Sequence, residues 1–300
     1  MEVYDFNEYI LKIDFEKKSE HPERIFKVMS EMIESLYSID KNLINSFVIN
    51  IEPKLILEDI ETGSLKARLR ALISAIDDDA LKELDWKKAV GSFLVKGKHK
   101  VLKFLEDKQE ITDYQQVQQL ESNLLSLAQD TDIQQVPWYT TIPTQKFLEN
   151  ISKLYNATNL LLSNDTVKYI SPEGEVTINK GFAISQQSIE NLLTKESVES
   201  QSEMIFRIKK PDYLGFSMWD VQYKGKTIQV KIHDLDWLNK FQDRKIDVRP
   251  GDSIRAQVVV EVRYGYDNNV VAEHFTVEKV LEVLRNEKPS QFNIFEEDEN

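Results

Sequence analysis

FSMWDVQYKGKTIQVKIHDLDWLNKFQ, residues 216–242, is the stretch on which the fold turns. Two runs rich in Val, Ile, Tyr and Trp flank Lys224-Gly225-Lys226, where the glycine supplies the positive φ that a tight β-hairpin needs. Directly after the second run, DLDWLNKFQ reads as one or two helical turns, with Asp234 or Asp236 as the cap. Upstream, MIFRIKK from Met204 alternates apolar and polar residues in the manner of a strand. Downstream, PGDSIRAQVVVEVRYGYDNNVVAEHFTVEKVLEVL offers two long strands joined across Tyr266-Asp267-Asn268-Asn269. Five strands with a short helical insertion fit a small antiparallel β-barrel, an architecture that leaves no exposed edges. Its expected span is 203–284.

The rest of the chain reads as α+β. Tyr4 to Phe15 alternates like a strand, and Pro22 opens a helix whose apolar stripe is Ile25, Phe26, Met29, Met32, Ile33 and Leu36. LINSFVINIEPKLILEDI follows as strand material cut by Pro53, which belongs at an edge, bulge or turn. Gly63 permits a change of direction, and Ser64 suits the N-cap of a helix LKARLRALISAI with a stripe of Leu65, Leu69, Leu72, Ile73 and Ile76. Helices are also expected over Ala80 to about Leu105, loosened at Gly91 and Gly97, and over Tyr114–Ala128, Gln145–Tyr155 and Ser188–Leu193. Pro137 and Pro143 mark a connector. The expected parts are an N-terminal α/β and helical domain (1–135), a connector with a small α+β segment (136–202), the barrel (203–284) and an acidic tail (285–300). The polar run TKESVESQSE sets the boundary before the barrel.

The 300 residues contain no cysteine, which excludes disulfides, thiolate metal sites and a cysteine nucleophile. No window approaches the roughly 18 apolar residues of a membrane-spanning helix, and the N-terminus lacks a basic leader, so a soluble, cytoplasmic protein is expected. Abundant Lys, Asn, Ile and Glu point to an AT-rich bacterial or phage genome, where a defence-associated accessory role would suit such a chain. The formal charge is −13. Glu203 to Leu284 is neutral, with 13 acids and 13 bases, while Arg285–Asn300 carries two bases and five acids. That balance repels a phosphate backbone, so nucleic acid is disfavoured unless a local basic face exists.

Several groupings could carry chemistry. Glu58, Asp59 and Glu61, with Asp77, Asp78 and Asp79, are the oxygen donors from which a divalent-cation site of a phosphohydrolase or nuclease could be built, although neighbours in one strand diverge. Gly63, Ser64 and Lys66 or Arg68 would cradle an anion at a helix start, but neither a glycine-rich run nor a Lys-Ser/Thr pair is present. Of four histidines, His233 beside Asp234 and Asp236 is the one placed to act as a general base. In the barrel, Tyr213, Phe216, Trp219 and Tyr223 interleave with Lys209, Lys210, Lys224 and Lys226, the vocabulary of a single-strand-binding platform. At the end, Phe292, Ile294 and Phe295 precede Glu296, Glu297, Asp298 and Glu299, forming an apolar and acidic docking peptide. The reading that joins these is a non-catalytic adaptor or regulatory protein. It would bind a protein partner through Trp219, Tyr223, Lys224 and Lys226 of the barrel and through Phe292, Ile294, Phe295, Glu296 and Glu297 of the tail, with no cofactor and no membrane. The alternatives are the metal-dependent phosphohydrolase and a single-stranded nucleic-acid module.

Overall fold

A computed structural model describes residues 7–16, 21–45, 51–61, 64–75, 86–130 and 142–286. The chain divides into two compact units, Met1–Leu193 and Thr194–Asn300.

In the first unit β1 (Glu8–Asp14) is followed by α1 (Glu23–Ile44), β2 (Ile51–Glu61), β3 (Leu65–Ala75), α2 (Trp86–Leu105), α3 (Tyr114–Asp130), α4 (Thr144–Ala157), β4 (Thr166–Ser171), β5 (Gly174–Thr177) and α5 (Gln186–Leu193). The strands form one sheet in the order β2-β3-β1-β4-β5, with every pairing antiparallel. Of the expected segment 136–202, β4 and β5 join this sheet, β4 directly beside β1, while the residues from Thr194 onward begin the second unit. One face of the sheet carries Tyr9, Leu11 and Ile13 of β1, Ala67, Leu69 and Ala71 of β3, and Val167 and Tyr169 of β4, all buried. Pro53 lies on β2, the edge strand, where a missing N–H breaks no ladder.

Two expectations are corrected here. Leu65–Ala75 is a strand, and Ser64 sits in a turn before it instead of capping a helix. The leucine spacing suits a helix, but Lys66-Ala67-Arg68-Leu69-Arg70-Ala71 also alternates with period two. Pairing Leu69 with Tyr9 and Ala67 with Leu11 buries the apolar set while the cations take the opposite face. Helix α2 runs unbroken through Gly91 and Gly97. A Cβ at Gly91 would meet the Asn7 Cβ at 2.9 Å and the Ala71 carbonyl at 3.3 Å, so this glycine serves close packing of helix on sheet.

The second unit starts earlier than the composition suggests. The polar run from Thr194 is the first half of β6 (Thr194–Lys210), followed by β7 (Trp219–Tyr223), β8 (Lys226–Ile232), α6 (Leu235–Gln242), β9 (Ser253–Gly265) and β10 (Val270–Leu284). Residues Glu196–Arg207 pair continuously along β9, and Thr194 pairs with Gly265 across a bulge at Lys195. Because Val258, Val260 and Val262 of β9 supply apolar side chains, this half of β6 needs little apolar alternation of its own. The five strands close in the order β10-β8-β7-β6-β9. Four pairings are antiparallel, but the closing one between β8 and β10 is parallel, which corrects the all-antiparallel expectation. Helix α6 carries the chain from β8 into β9, which runs the opposite way, and the β9–β10 hairpin then returns it alongside β8 in the same direction.

Local chemistry explains the barrel's joints. Lys224 and Gly225 both have positive φ (47° and 82°), the two-residue hairpin turn whose twist matches the strands. Asp234 caps α6, accepting from Trp237 N at 3.1 Å, and its second oxygen accepts from Val280 N at 3.0 Å on β10. Inside, Trp219 is 1% exposed and packs against Phe241 and Trp237, with ring centroids at 4.9 and 5.8 Å. Among the described residues no helix is long and apolar enough to cross a membrane.

Candidate interaction site at the barrel mouth

The residues singled out by sequence are dispersed. In the first unit Glu58 is held by Arg70 Nε at 3.0 Å, Asp59 follows a β-bulge opposite Arg68, and Glu61 ends β2 opposite Lys66. Asp77, Asp78 and Asp79 lie outside the described residues. Among the described residues no three His, Asp or Glu side chains gather where they could hold a metal ion. No helix begins at Ser64, so the anion cradle expected there has no helix terminus to build it. Lys66 and Arg68 stand on the open sheet face instead. Lys66, Lys12 and Lys168 are aligned across β3, β1 and β4, and acids accompany them, with Lys12–Asp14 at 2.8 Å and Lys168–Glu175 at 2.6 Å. A groove of about 590 Å³ between α1 and β2 has Glu34 and Lys54 as its charged lining.

A second set of titratable groups lies inside this unit. Lys98 is fully buried, bonds to Asp40, and places its Nζ 4.7 Å from the centroid of the Tyr9 ring. Tyr9 stacks on Tyr169 at 4.9 Å, and the Tyr169 hydroxyl donates to the Val95 carbonyl at 3.0 Å. Burial lowers the Lys98 pKa and raises that of Asp40, because each loses hydration. Enclosed on all sides, this cluster belongs to the core.

In the second unit His233 is exposed, with Nδ1 3.3 Å from Glu278 Oε1, and Asp234 is engaged as the α6 cap, so the two are not aimed at a common point. Trp219 lies in the core and offers no surface to a partner, a correction to its expected binding role. Tyr223 packs against Phe206 and Phe275. Lys224 and Lys226 are exposed on the hairpin at the far end of β7 from the β6–β7 loop. Phe292, Ile294, Phe295, Glu296 and Glu297 lie outside the described residues.

What the sequence reading underweighted is the β6–β7 loop, Pro211-Asp212-Tyr213-Leu214-Gly215-Phe216-Ser217-Met218. Leu214 is 96% exposed and Phe216 61%, with Tyr213, Met218 and Leu235 also exposed. The loop is nonetheless fixed. Asp212 accepts from the backbone N–H of Leu214 (2.9 Å), Gly215 (3.0 Å) and Ser217 (2.9 Å) and from the Ser217 hydroxyl (2.6 Å). Gln242 of α6 donates to the Gly215 carbonyl at 2.7 Å, Lys231 donates to the Phe216 carbonyl, and the Tyr213 ring stacks on Phe241 at 5.1 Å. Lys210 at the end of β6, Lys240 on α6 and Arg244 in the turn after it are exposed, whereas the Lys209 ammonium donates to the Thr227 hydroxyl at 2.8 Å, beside the Lys224-Gly225 hairpin. The signal was present as an Asp followed by three N–H donors and a Gly within an apolar loop, an Asx-type turn.

The Ser217 hydroxyl, with the Leu214 and Ser217 N–H groups, holds the Asp212 carboxyl far below the usual carboxylate range. Its folded pKa is depressed, so its contribution is complete above the unfolded value of 3.8 and disappears as pH falls through the lower folded value. The loop should therefore remain ordered at about pH 4 and loosen only in stronger acid. Asp212→Ala should accelerate amide exchange at Leu214, Gly215 and Ser217 by about tenfold or more. Unchanged exchange, followed by NMR, would show that Asp212 does not hold the loop.

The strand order, the helix between the third and fourth strands and the parallel seam make this unit a closed five-stranded Greek-key barrel with OB-type connectivity. Comparison of the chain with family models, with curated proteins and with solved structures gives no match.

Proposed function

We propose that the protein is a non-catalytic adaptor or regulatory protein that captures a protein partner at the mouth of its C-terminal barrel. One observation carries this reading: Leu214, almost fully exposed, sits on a loop that a carboxylate and two side chains from β8 and α6 hold in one conformation. An apolar side chain fixed outward has already lost its loop entropy, so its burial by a partner is largely net gain. Burying Leu214 and Phe216 contributes about 1.5–3 kcal/mol each, the scale of an interface hot spot.

A second reading, a single-stranded nucleic-acid module, is favoured by the OB-type topology and by Arg207, Lys209 and Lys231 on β6 and β8. Against it, the aromatic residues of β7, Trp219 and Tyr223, pack into the barrel, and β8 has none, so the β7–β8 face lacks rings for bases to stack on.

Quantitative capture of partners from lysate by the full chain separates the two. Leu214→Glu should weaken the captured complex by about tenfold or more, while Lys224→Glu on the opposite hairpin should not. Equal capture by both variants would remove the loop from the interface. Salt-sensitive oligonucleotide binding that requires Lys209 and Lys231 would replace this reading with the nucleic-acid one.

A further inference from the structure

We infer that β2, the outer strand of the first unit's sheet, is a dimerisation seam, where a second copy of this chain adds its own β2 antiparallel about a twofold axis through Ile56. The seam is independent of the barrel mouth. Backbone, side chains and charge each point to it.

The backbone leaves β2 with unused groups. Among the described residues β2 ends the sheet, and it runs eleven residues, Ile51–Glu61. Ala71 N donates to the Asn7 carbonyl at 3.0 Å, so the odd-numbered residues of β3 bond toward β1 and the even-numbered ones toward β2. Across from the latter, Glu52, Lys54 and Ile56 complete the β2–β3 ladder, while Pro53, Leu55 and Leu57 turn their backbone groups outward. Pro53 has no N–H, and its carbonyl accepts from the Tyr37 hydroxyl at 3.0 Å. Leu55 and Leu57 therefore present N–H and C=O groups in the spacing of an unfinished ladder. The opposite edge is blunted: β5 has four residues, and its Thr177 N–H donates to Glu106 Oε1 at 3.0 Å. An open edge such as β2 is a template for another strand.

The side chains suit a twin. Ile56 shares the open face with Arg70 and is 42% exposed, whereas Leu57, on the α1 side, is 49% exposed. Leu55 and Leu57 line the groove between α1 and β2 together with Ile33, Tyr37 and Leu69. Pairing about Ile56 sets Leu55 opposite Leu57 of the second copy, and the two exchange N–H···O bonds while the groove takes in the added leucine. The same contact recurs on the other side of the axis, as an isologous interface requires.

Charge fixes the register. Lys54 and Glu58 flank Ile56, and Arg70 Nε holds Glu58 on the open face at 3.0 Å. Among the described residues no ion pair engages Lys54. Antiparallel pairing about Ile56 puts Lys54 of each copy opposite Glu58 of the other, an attractive pair at both ends of the seam. A slip of one residue would turn the leucines to the charged face. Pro53 and the bulge after Leu57 bound the paired stretch on either side. Each copy has one such edge, so the assembly closes at two.

Sedimentation velocity of the full chain tests the seam. The wild-type chain should show a concentration-dependent dimer, and Lys54→Glu or Glu58→Lys alone should each weaken it by about tenfold or more, because the twofold repeats every altered pair. Mixed in equal amounts, these two variants should associate within about threefold of the wild type, since in the mixed dimer both cross-strand pairs again join opposite charges. Damage to the fold of one chain would not be mended by mixing. With no cysteine in the sequence, Ile56→Cys places a single thiol on the axis, and diamide should link two such chains at least about tenfold faster than two Lys224→Cys chains. A wild-type chain still monomeric at about 100 μM, single charge variants that dimerise like the wild type, a mixture no better than its components, or equal cross-linking rates would each overturn the seam. Leu214→Glu should leave dimerisation unchanged, so failure of the seam and failure of capture at the barrel mouth are read separately.

Discussion

Lys98→Ala destabilises the first unit by about 3–5 kcal/mol at neutral pH, the expected consequence of leaving a buried carboxylate without its cation. Asp40 is 1% exposed, and its bond to Lys98 is what offsets its lost hydration. The substitution also takes the ammonium away from the Tyr9 ring. Replacing both partners, Asp40→Leu with Lys98→Met, should recover most of the loss, because no charge then remains buried. The pH dependence has a definite sign. Burial raises the folded pKa of Asp40 above its ordinary 3.8, and without Lys98 nothing opposes that rise. An acid whose folded pKa is raised binds its proton more readily in the folded state, so stability increases as pH falls from the folded value toward the unfolded one. The Lys98→Ala penalty should accordingly be smaller at about pH 4 than at about pH 7. Urea unfolding followed by far-UV circular dichroism measures both effects, and a penalty below about 1 kcal/mol at neutral pH would mean that the pair does not hold this core.

Trp219→Ala is expected to cost the barrel about 3–5 kcal/mol through lost burial and the cavity left behind. The indole fills the space between β7 and α6, touching Trp237 and Phe241, and it sits opposite Val230 on β8. Its removal therefore loosens the helix that also positions Gln242 and Phe241 beneath the exposed loop. Leu214→Glu, by contrast, changes a side chain surrounded by solvent and should leave stability within about 0.5 kcal/mol. The two variants separate fold from recognition: the first lowers the unfolding midpoint, the second lowers capture alone. A Trp219→Ala barrel with an unchanged midpoint would place that ring outside the core.

Where turn chemistry or proline is decisive, the sequence was legible one segment at a time. Lys224-Gly225 specifies its hairpin because few residues other than glycine adopt the second positive φ at no cost, and Pro53 announces an edge because it has no N–H to donate. Leu65–Ala75 was not legible from its leucines, which satisfy helical and strand periodicities together. The choice fell to β1, which offers Tyr9 and Leu11 to pair against. Likewise, nothing in TKESVESQSE announces a strand, since its ladder and apolar face are supplied by β9, more than fifty residues later.

The same division applies to the candidate site. The residue types at the mouth, lysines beside aromatic residues, could be read directly, but which rings face in and which face out could not. Trp219 and Phe216 lie three residues apart, yet one is enclosed and the other is held in solvent by Asp212, Lys231 and Gln242.

By itself the sequence determined the α+β class, the five barrel strands with their helix, the hairpin turns and the cysteine-free chemistry, because each rests on contacts between near neighbours. The tertiary structure alone decided the parallel seam, the strand at Leu65–Ala75, the burial of Lys98 with Asp40 and the outward Leu214. Those depend on which distant segments meet, and burial and hydrogen-bond partners across such distances are properties of the folded chain as a whole.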